Sequence, residues 1–515
     1  MKPIIFILFL GLSAWLYAQP NVADAKRNAT WVLGHGYTMH TKLLFTSDTV
    51  TVTTQADTVC PYIACTASAI SDTSGHLAFY TNGIYLVNSF HELLASDLTP
   101  VAGYSRFCTS TPVYNCFYPV PQSSVILPYP DHHNQYFILH TQLSDSFIVD
   151  CVPGKNILTT LVDMNQRNGH GQVVYKNVPI LSHRLSGDCC LAACRHANGR
   201  DWWIITWESH TNRYMTFLLD PLGVHLQQWR STDDNVLGYN TAMTFSPDGS
   251  KFVITRRYPY PSSARTSDID LYDFDRCRGI LSNARKVRSV SAAPANWYAY
   301  NGVCFSGNSR YLYVTTGLKA MQFDMQTSPN LTTCDTVATA YPNSTMGGLN
   351  SWYFGFMHLA IDGKIYMQSY NADTLMHVIH RPNTGGTGCN LEQFALHTPV
   401  QNDALPNEPN FQLGALTGSS CDTLTVATLN PIEKSTQIQL FPNPASDEIT
   451  LQAPDGLAAA ASLQITDVFG RVLRQETLVA GANKWSVRDL PQGVYVVRIF
   501  RATGTVQTAK FTVVR

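Results

Sequence analysis

Arg195 and His196 precede Trp202, Trp203 and Trp207, a grouping of a cation, an imidazole and large aromatic faces within thirteen positions or so of one another. Such faces stack on sugar rings or partner side chains, and an Arg-His pair at a strand end is placed to hydrogen-bond a ligand. These five residues are the candidate ligand-binding set. The competing reading is packing, because Trp202 and Trp203 are neighbours and point to opposite faces of any strand that holds them. Asp268, Asp270, Asp273 and Asp275 supply oxygen ligands of the kind calcium takes. They alternate with Ile269, Leu271, Tyr272 and Phe274 as a strand would, and no EF-hand loop surrounds them, so no cofactor is expected and calcium is the one ion the pattern admits. His132-His133 is a turn pair with no third ligand at readable spacing. Neither a G-x-S-x-G elbow nor a recognisable pair of glycosidase carboxylates is present, so no catalytic residue is assigned.

Thirteen cysteines all follow position 18. In an oxidising compartment disulfides are the default, and Cys60 with Cys65 and Cys108 with Cys116 are close enough in sequence to close small loops. A metal site is the alternative, but no C-x-x-C pair with a matching second pair appears. The formal net charge is -1 and 14% of residues are charged, which offers no basic footprint for nucleic acid or anionic lipid. With 45% hydrophobic residues the chain has material for a large core.

What positions these residues is a repeat. A short apolar strand, a tight turn of Asp, Asn, Pro or Gly, and a strand rich in aromatic and β-branched residues recur at 70–80, 130–139, 195–205, 245–255, 305–315 and 359–367. In F-S-P-D-G at 245–249, Pro and Asp set the turn and Gly takes the positive φ. Third strands follow, as at 213–220 and 269–275, and four antiparallel strands per repeat describe a β-propeller blade. Six blades are visible. A seventh assembled from 31–54 at the start and 405–416 at the end would close the ring and remove exposed edges. The expected fold is all-β: a propeller of six or seven blades, seven preferred, over residues 19–416, then a linker at 417–436 and a small Ig-like β-sandwich at 437–515.

The ends carry an address. Met1-Lys2 precedes an apolar run at 4–16, and Leu16-Tyr17-Ala18-Gln19 supplies a small residue for cleavage between Ala18 and Gln19. The run is shorter than the roughly 20 residues that span a bilayer, so residues 1–18 read as a signal peptide and no membrane span is expected in the mature form. At the other end lie F-P-N-P-A-x-D at 441–447, D-x-x-G-R at 467–471, L-P-x-G-x-Y-x-V at 490–497 and K-F-x-V at 510–513. This order closely resembles the C-terminal sorting domain of type IX secretion cargo of the Bacteroidetes, with Pro442, Asn443, Pro444, Asp447, Gly470, Gly493, Tyr495 and Lys510 at the motif positions. The resemblance implies the type IX secretion machinery as partner, passage through the periplasm, and release to the medium or the outer cell surface. A second resemblance spans about 30–416. The ordered A-I-S-D-x-x-G-x-L-x-F-Y-T-x-G at 69–83, L-V-D-M at 161–164, R-H-A-N-G-R-D-W-W at 195–203, F-S-P-D-G and L-x-x-D-G-K-I-Y at 359–366 is similar to secreted Bacteroidetes proteins with WD-like propeller repeats. That family's biochemical role is mostly unassigned. The expected function is therefore a secreted or surface propeller that binds an extracellular glycan or protein; a secreted hydrolase and a structural adhesion or gliding component are the rival classes.

Overall fold

The structure is a computed structural model. It describes residues 18–34, 39–56, 59, 61–63, 65–96, 118, 120–143, 154–181, 190–208, 213–231, 239–257, 265–291, 300–316, 318–340, 353–370, 374–400, 402, 404–422, 439–452, 462–467, 472–477, 482–500 and 506–514.

Seven antiparallel sheets form a ring, and their strands run in sequence order from the inside outward. Their innermost strands are Thr30–Leu33 in blade 1, Ser68–Ser71 in blade 2, Ser124–Pro128 in blade 3, Leu191–Arg195 in blade 4, Tyr239–Phe245 in blade 5, Tyr300–Phe305 in blade 6 and Tyr353–Leu359 in blade 7. Blades 2 to 7 have four strands and blade 1 has three. Each blade is hydrophobic on both faces, and each interface between neighbours is a packed cluster. Trp203, Trp207 and Tyr214 of blade 4 meet Met243, Phe252 and Tyr272 of blade 5. The ring closes where Trp31, Leu43 and Phe45 of blade 1 meet Tyr366, Met376 and Val378 of blade 7. The fold is a seven-bladed β-propeller.

The six sequence repeats are the first hairpins of blades 2 to 7, and five of their turns share one device. The side chains of Asp72, Asn198, Asp248, Asn308 and Asp362 each accept a hydrogen bond from the backbone N–H two residues on, at 2.8 to 3.2 Å. The next position is left-handed in four of them, and Gly takes it in three blades at φ between 71° and 77°, whereas in blade 2 Gly75, three positions after Asp72, carries φ 96°. In blade 6 the position belongs to Ser309, at φ 59°. These turns lie on the same face of the ring as the connections between third and fourth strands, because antiparallel strands alternate direction.

Blade 1 is built from the start of the chain as expected, but the end contributes no strand to it. Leu413–Leu416 pairs instead with Ala18–Pro20 in a two-stranded sheet, so the strand spans the expected cleavage point. The preceding stretch runs across the ring axis. Pro406 and Pro409 deny it the regular N–H donors of a ladder, and side chains hold it instead. The Asn407 amide donates to the carbonyls of Ser124 and Leu191 at 2.9 and 2.8 Å, tying blade 3 to blade 4, while its N–H donates to Ala67 of blade 2 at 2.9 Å. Asn410 donates to Pro247 of blade 5 at 2.8 Å. Arg276 is 3% exposed and donates to the carbonyls of Arg195, His196 and Gly414. A Cys277–Cys421 disulfide, 144 residues apart in sequence, fastens the end of this strap to blade 5. Residues 417–422, expected in the linker, thus belong with the propeller.

The C-terminal unit is a β-sandwich of a three-stranded and a four-stranded sheet. Ile449, Leu451, Leu463, Ile465, Trp485, Val497, Ile499, Phe511 and Val513 alternate inward and form its core.

Candidate functional site

Between the strap and the inner strands of blades 4 to 7 lies a cavity of about 210 Å³ on the ring axis. Its walls carry apolar side chains, including Ala192, Met243, Phe245, Val303, Phe305 and Met357, but polar atoms supply the larger part of the lining surface. The strap brings one carboxyl into it. Glu408 is the sole carboxylate residue among the described lining, and its side chain is 1% exposed. The Trp31 indole is the donor that acts on it, yet neither carboxyl oxygen makes a hydrogen bond of ordinary geometry among the described residues. Burial pushes the Glu408 carboxyl well above the usual range, only partly offset by Trp31. His358 of blade 7 points its Nε2 at Glu408 from 3.8 Å, with a fifth of its side chain open to the cavity. Desolvation holds its pKa down at about 4. Burial thus favours the uncharged form of both, an acid beside an imidazole. The Cys194 and Cys304 thiols also line the cavity, and burial pushes both up to about 12, so they are not nucleophiles.

The candidate set named from sequence is brought together, but inside the protein. Trp202 is fully buried beneath Phe411 of the strap at 5.6 Å, with the Arg195 guanidinium 3.9 Å from its ring centre. Trp203 lies on the opposite face, its indole N–H donating to the Arg276 carbonyl at 2.7 Å. Trp207 packs between Tyr214 and Tyr272, with Arg256 4.1 Å above its ring. Arg195 is 3% exposed and pairs with Asp24 at 2.7 Å. Burial lowers the Arg195 pKa to about 10; burial works to raise that of Asp24, but Arg195 and Arg27 together hold it below the usual carboxylate value. His196 sits at the turn between the carbonyl of Cys277 at 3.2 Å and the N–H of Asn198 at 3.0 Å, which fixes a neutral tautomer. All five side chains face protein neighbours in this arrangement.

The four aspartates do not converge. Asp270 pairs with buried Arg256 at 2.8 Å, Asp273 takes Lys251, Asn283 and Arg285, and Asp275 caps its own turn by accepting from the N–H of Cys277 at 2.8 Å. Asp268 is buried, 3% exposed. His132 stacks on Tyr129 at 3.8 Å and bonds to the Pro130 carbonyl, while His133 is exposed beside it. No group of three or more His, Cys, Asp or Glu is arranged to hold a metal among the described residues. Cys60, Cys108, Cys116 and Cys189 fall outside the described residues, and with them both expected short-loop pairings. The disulfide that is described joins residues the spacing never paired. Cys194, Cys304 and Cys389 are buried thiols and Cys334 an exposed one, against the expectation that most thiols are oxidised. Cys194 and Cys304 stand on inner strands, Cys334 just before a strand and Cys389 in a 3-10 turn.

In the sandwich the motif residues have mutual roles. The Asn443 side chain donates to the Lys510 carbonyl at 3.0 Å and accepts from the Thr512 N–H at 2.9 Å. Ala445 bridges to Val513, so the F-P-N-P-A entry, whose two prolines follow cis bonds, is stitched to the closing strand. Asp447 pairs with Arg488 at 2.8 Å. Tyr495 donates to the Pro491 carbonyl at 2.6 Å and stacks on Phe511, and Gly493 opens its strand opposite Val513. The Lys510 side chain is exposed. Gly470 lies outside the described residues.

The fold and these contacts define a β-propeller with a β-sandwich tail. Residues 439–514 match the family model described as the secretion system C-terminal sorting domain. The chain thus carries a type IX sorting tail, which sends it to the cell surface or the medium. No helix among the described residues is long and apolar enough to cross a membrane. No curated protein matches the chain. Among solved structures, PorZ of Porphyromonas gingivalis, described as an essential bacterial surface component of the type-IX secretion system, is similar at 12% identity over 93% of this chain and 69% of its own, with a TM-score of 0.28. A hypothetical selenium-binding protein of Sulfolobus tokodaii is similar at 11% identity over 69% of this chain and 85% of its own, with a TM-score of 0.40. Likenesses at these scores carry no argument about activity.

Proposed function

We propose that the protein is an exported binding module whose propeller captures an extracellular ligand, from a glycan or a protein, at the ring axis. One observation carries the reading: the axial cavity buries a carboxyl that makes no hydrogen bond of ordinary geometry among the described residues, set between apolar side chains and polar groups that an occupant can bridge. A glycosidase needs two carboxyl groups across the scissile bond, and the described lining offers one. A thiol hydrolase needs a lowered cysteine pKa, and both lining thiols are raised. Screening the purified full-length protein on glycan and surface-protein arrays, beside turnover assays on polysaccharide, peptide and ester libraries, tests this. Saturable binding without turnover supports it, and turnover of any library member contradicts it.

A further inference from the structure

The axial cavity holds oxygens that no described group satisfies with ordinary geometry. Among its polar side chains Gln122 is occupied by both the N–H and the carbonyl of Met243, and Asn407 by Ser124 and Leu191. Asn410 bonds to Pro247 and Gln412, and Ser246 to Asp248 and Lys251. The lining atoms without partners are both carboxyl oxygens of Glu408 and the Oδ1 of Asn28, and Asn28 is itself 7% exposed. His358 adds a ring nitrogen facing the same carboxyl. A buried polar group with no partner is costly, so an occupant that brings N–H donors gains most here.

We infer that this cavity binds a small organic cation bearing a primary ammonium, seated against Glu408 with its carbon body on the apolar side chains; the inference rests on the binding reading above. An ammonium supplies three N–H donors and a charge, which matches a carboxylate, an amide oxygen and an imidazole nitrogen. Phe245, Phe305, Val303 and Met357 suit an aliphatic or sugar body. A metal ion fits less well, because stable sites take three or more protein ligands and the described residues bring no such set together. An anion would find no lysine or arginine in the described lining. Any proton that Glu408 holds leaves to buffer on binding and the carboxylate pairs with the incoming ammonium, so charge and protons balance. Protein groups that face this event are His358 from blade 7, Trp31 from blade 1, and the Cys194 and Cys304 thiols from blades 4 and 6.

The test is calorimetric titration of the full-length protein with glucosamine and cadaverine, with glucose and N-acetylglucosamine as uncharged counterparts, and with calcium and zinc chlorides. Glucosamine and cadaverine separate an amino-sugar source from a diamine source. Binding of at least one, a weakening of tenfold or more in Glu408→Gln, and at least tenfold weaker binding of glucose and N-acetylglucosamine are expected. Asn28→Ala should weaken the same ligand. Glu408→Gln removes an unpartnered acid and keeps its shape, so an unchanged circular dichroism spectrum shows that the loss is local. Equal binding of the uncharged sugars, or no effect of Glu408→Gln, overturns the ammonium inference and leaves the binding reading standing. Glu408-dependent binding of calcium or zinc in place of the amines overturns it in favour of a metal. Silence from every probe overturns it also, and the binding reading falls with it only if the arrays are silent too.

Discussion

The Nε2 of His358 stands 3.8 Å from the Glu408 carboxyl inside the ring, and burial favours the uncharged form of both groups. Burial shifts the two in opposite directions, the acid up and the base down. For Glu408 the folded state keeps a proton that the unfolded chain releases near its ordinary value of 4.5. The folded state then binds more protons, so stability falls as pH rises above that value. Glu408→Gln is expected to stabilise the propeller by about 1–3 kcal/mol near neutral pH, and by less as pH approaches 4.5. Paired urea titrations at several pH values check it; equal stability at every pH would mean that Glu408 is satisfied in the fold.

Buried histidines give the opposite trend. His140 is 1% exposed and has its pKa lowered to about 3; His377 is 1% exposed, lowered to about 4, and its Nδ1 accepts from the Phe394 N–H. The unfolded chain takes up a proton at each near 6.5 that the folded ring refuses. Stability is full above that value and is lost as pH falls toward about 4, by on the order of 3 kcal/mol per histidine. The sorting domain contains no histidine. Scanning calorimetry should show the propeller transition falling between pH 7 and 4.5, with no histidine contribution to that of the sandwich.

Two turns test the shared hairpin device. Gly249 has φ 71°, and a Cβ there would lie 2.7 Å from the Arg276 side chain and 2.9 Å from Leu413. Gly249→Ala is expected to cost about 1–3 kcal/mol through strain and contact. Ser309 holds the equivalent position at φ 59°, so Ser309→Gly is expected to be neutral or to stabilise by up to about 1 kcal/mol. Melting temperatures of both variants decide it, and a loss at Ser309→Gly equal to that at Gly249→Ala would contradict it.

Most of the ring was legible because its signals are local. Asp, Asn and Gly in the turns mark six first hairpins, and each was located from sequence. The site was not, because Glu408 owes its place to long-range contacts of the strap. Residues 405–416 read as a closing strand on their apolar content. The contrary signal was present in Pro406 and Pro409, which suit a path held by side chains better than a ladder. Trp202 and Trp203 were readable as a pair facing opposite ways, but which neighbours cover them depends on blade order. Cys277 and Cys421 meet because the strap returns to blade 5, and no spacing rule pairs residues so far apart.

Loss of that bond should loosen the strap. Closing a loop of this length limits the unfolded chain by roughly 2–5 kcal/mol, so Cys421→Ser is expected to lower stability by an amount in that range. Mass spectrometry of unreduced digests should recover a peptide pair joining Cys277 to Cys421. Recovery of both as free thiols from secreted protein would contradict the pairing.

The central claim is a division of labour: the sandwich exports the chain and the propeller folds and binds without it. The direct measurement is to express the chain truncated after Leu429, which keeps Cys421, in a type IX-competent strain, and to locate it by fractionation with its melting recorded. A folded propeller retained in the periplasm, with the melting transition of the propeller in the full chain, is the predicted result. Truncated protein at the cell surface or in the medium of cells with an intact outer membrane would contradict the account.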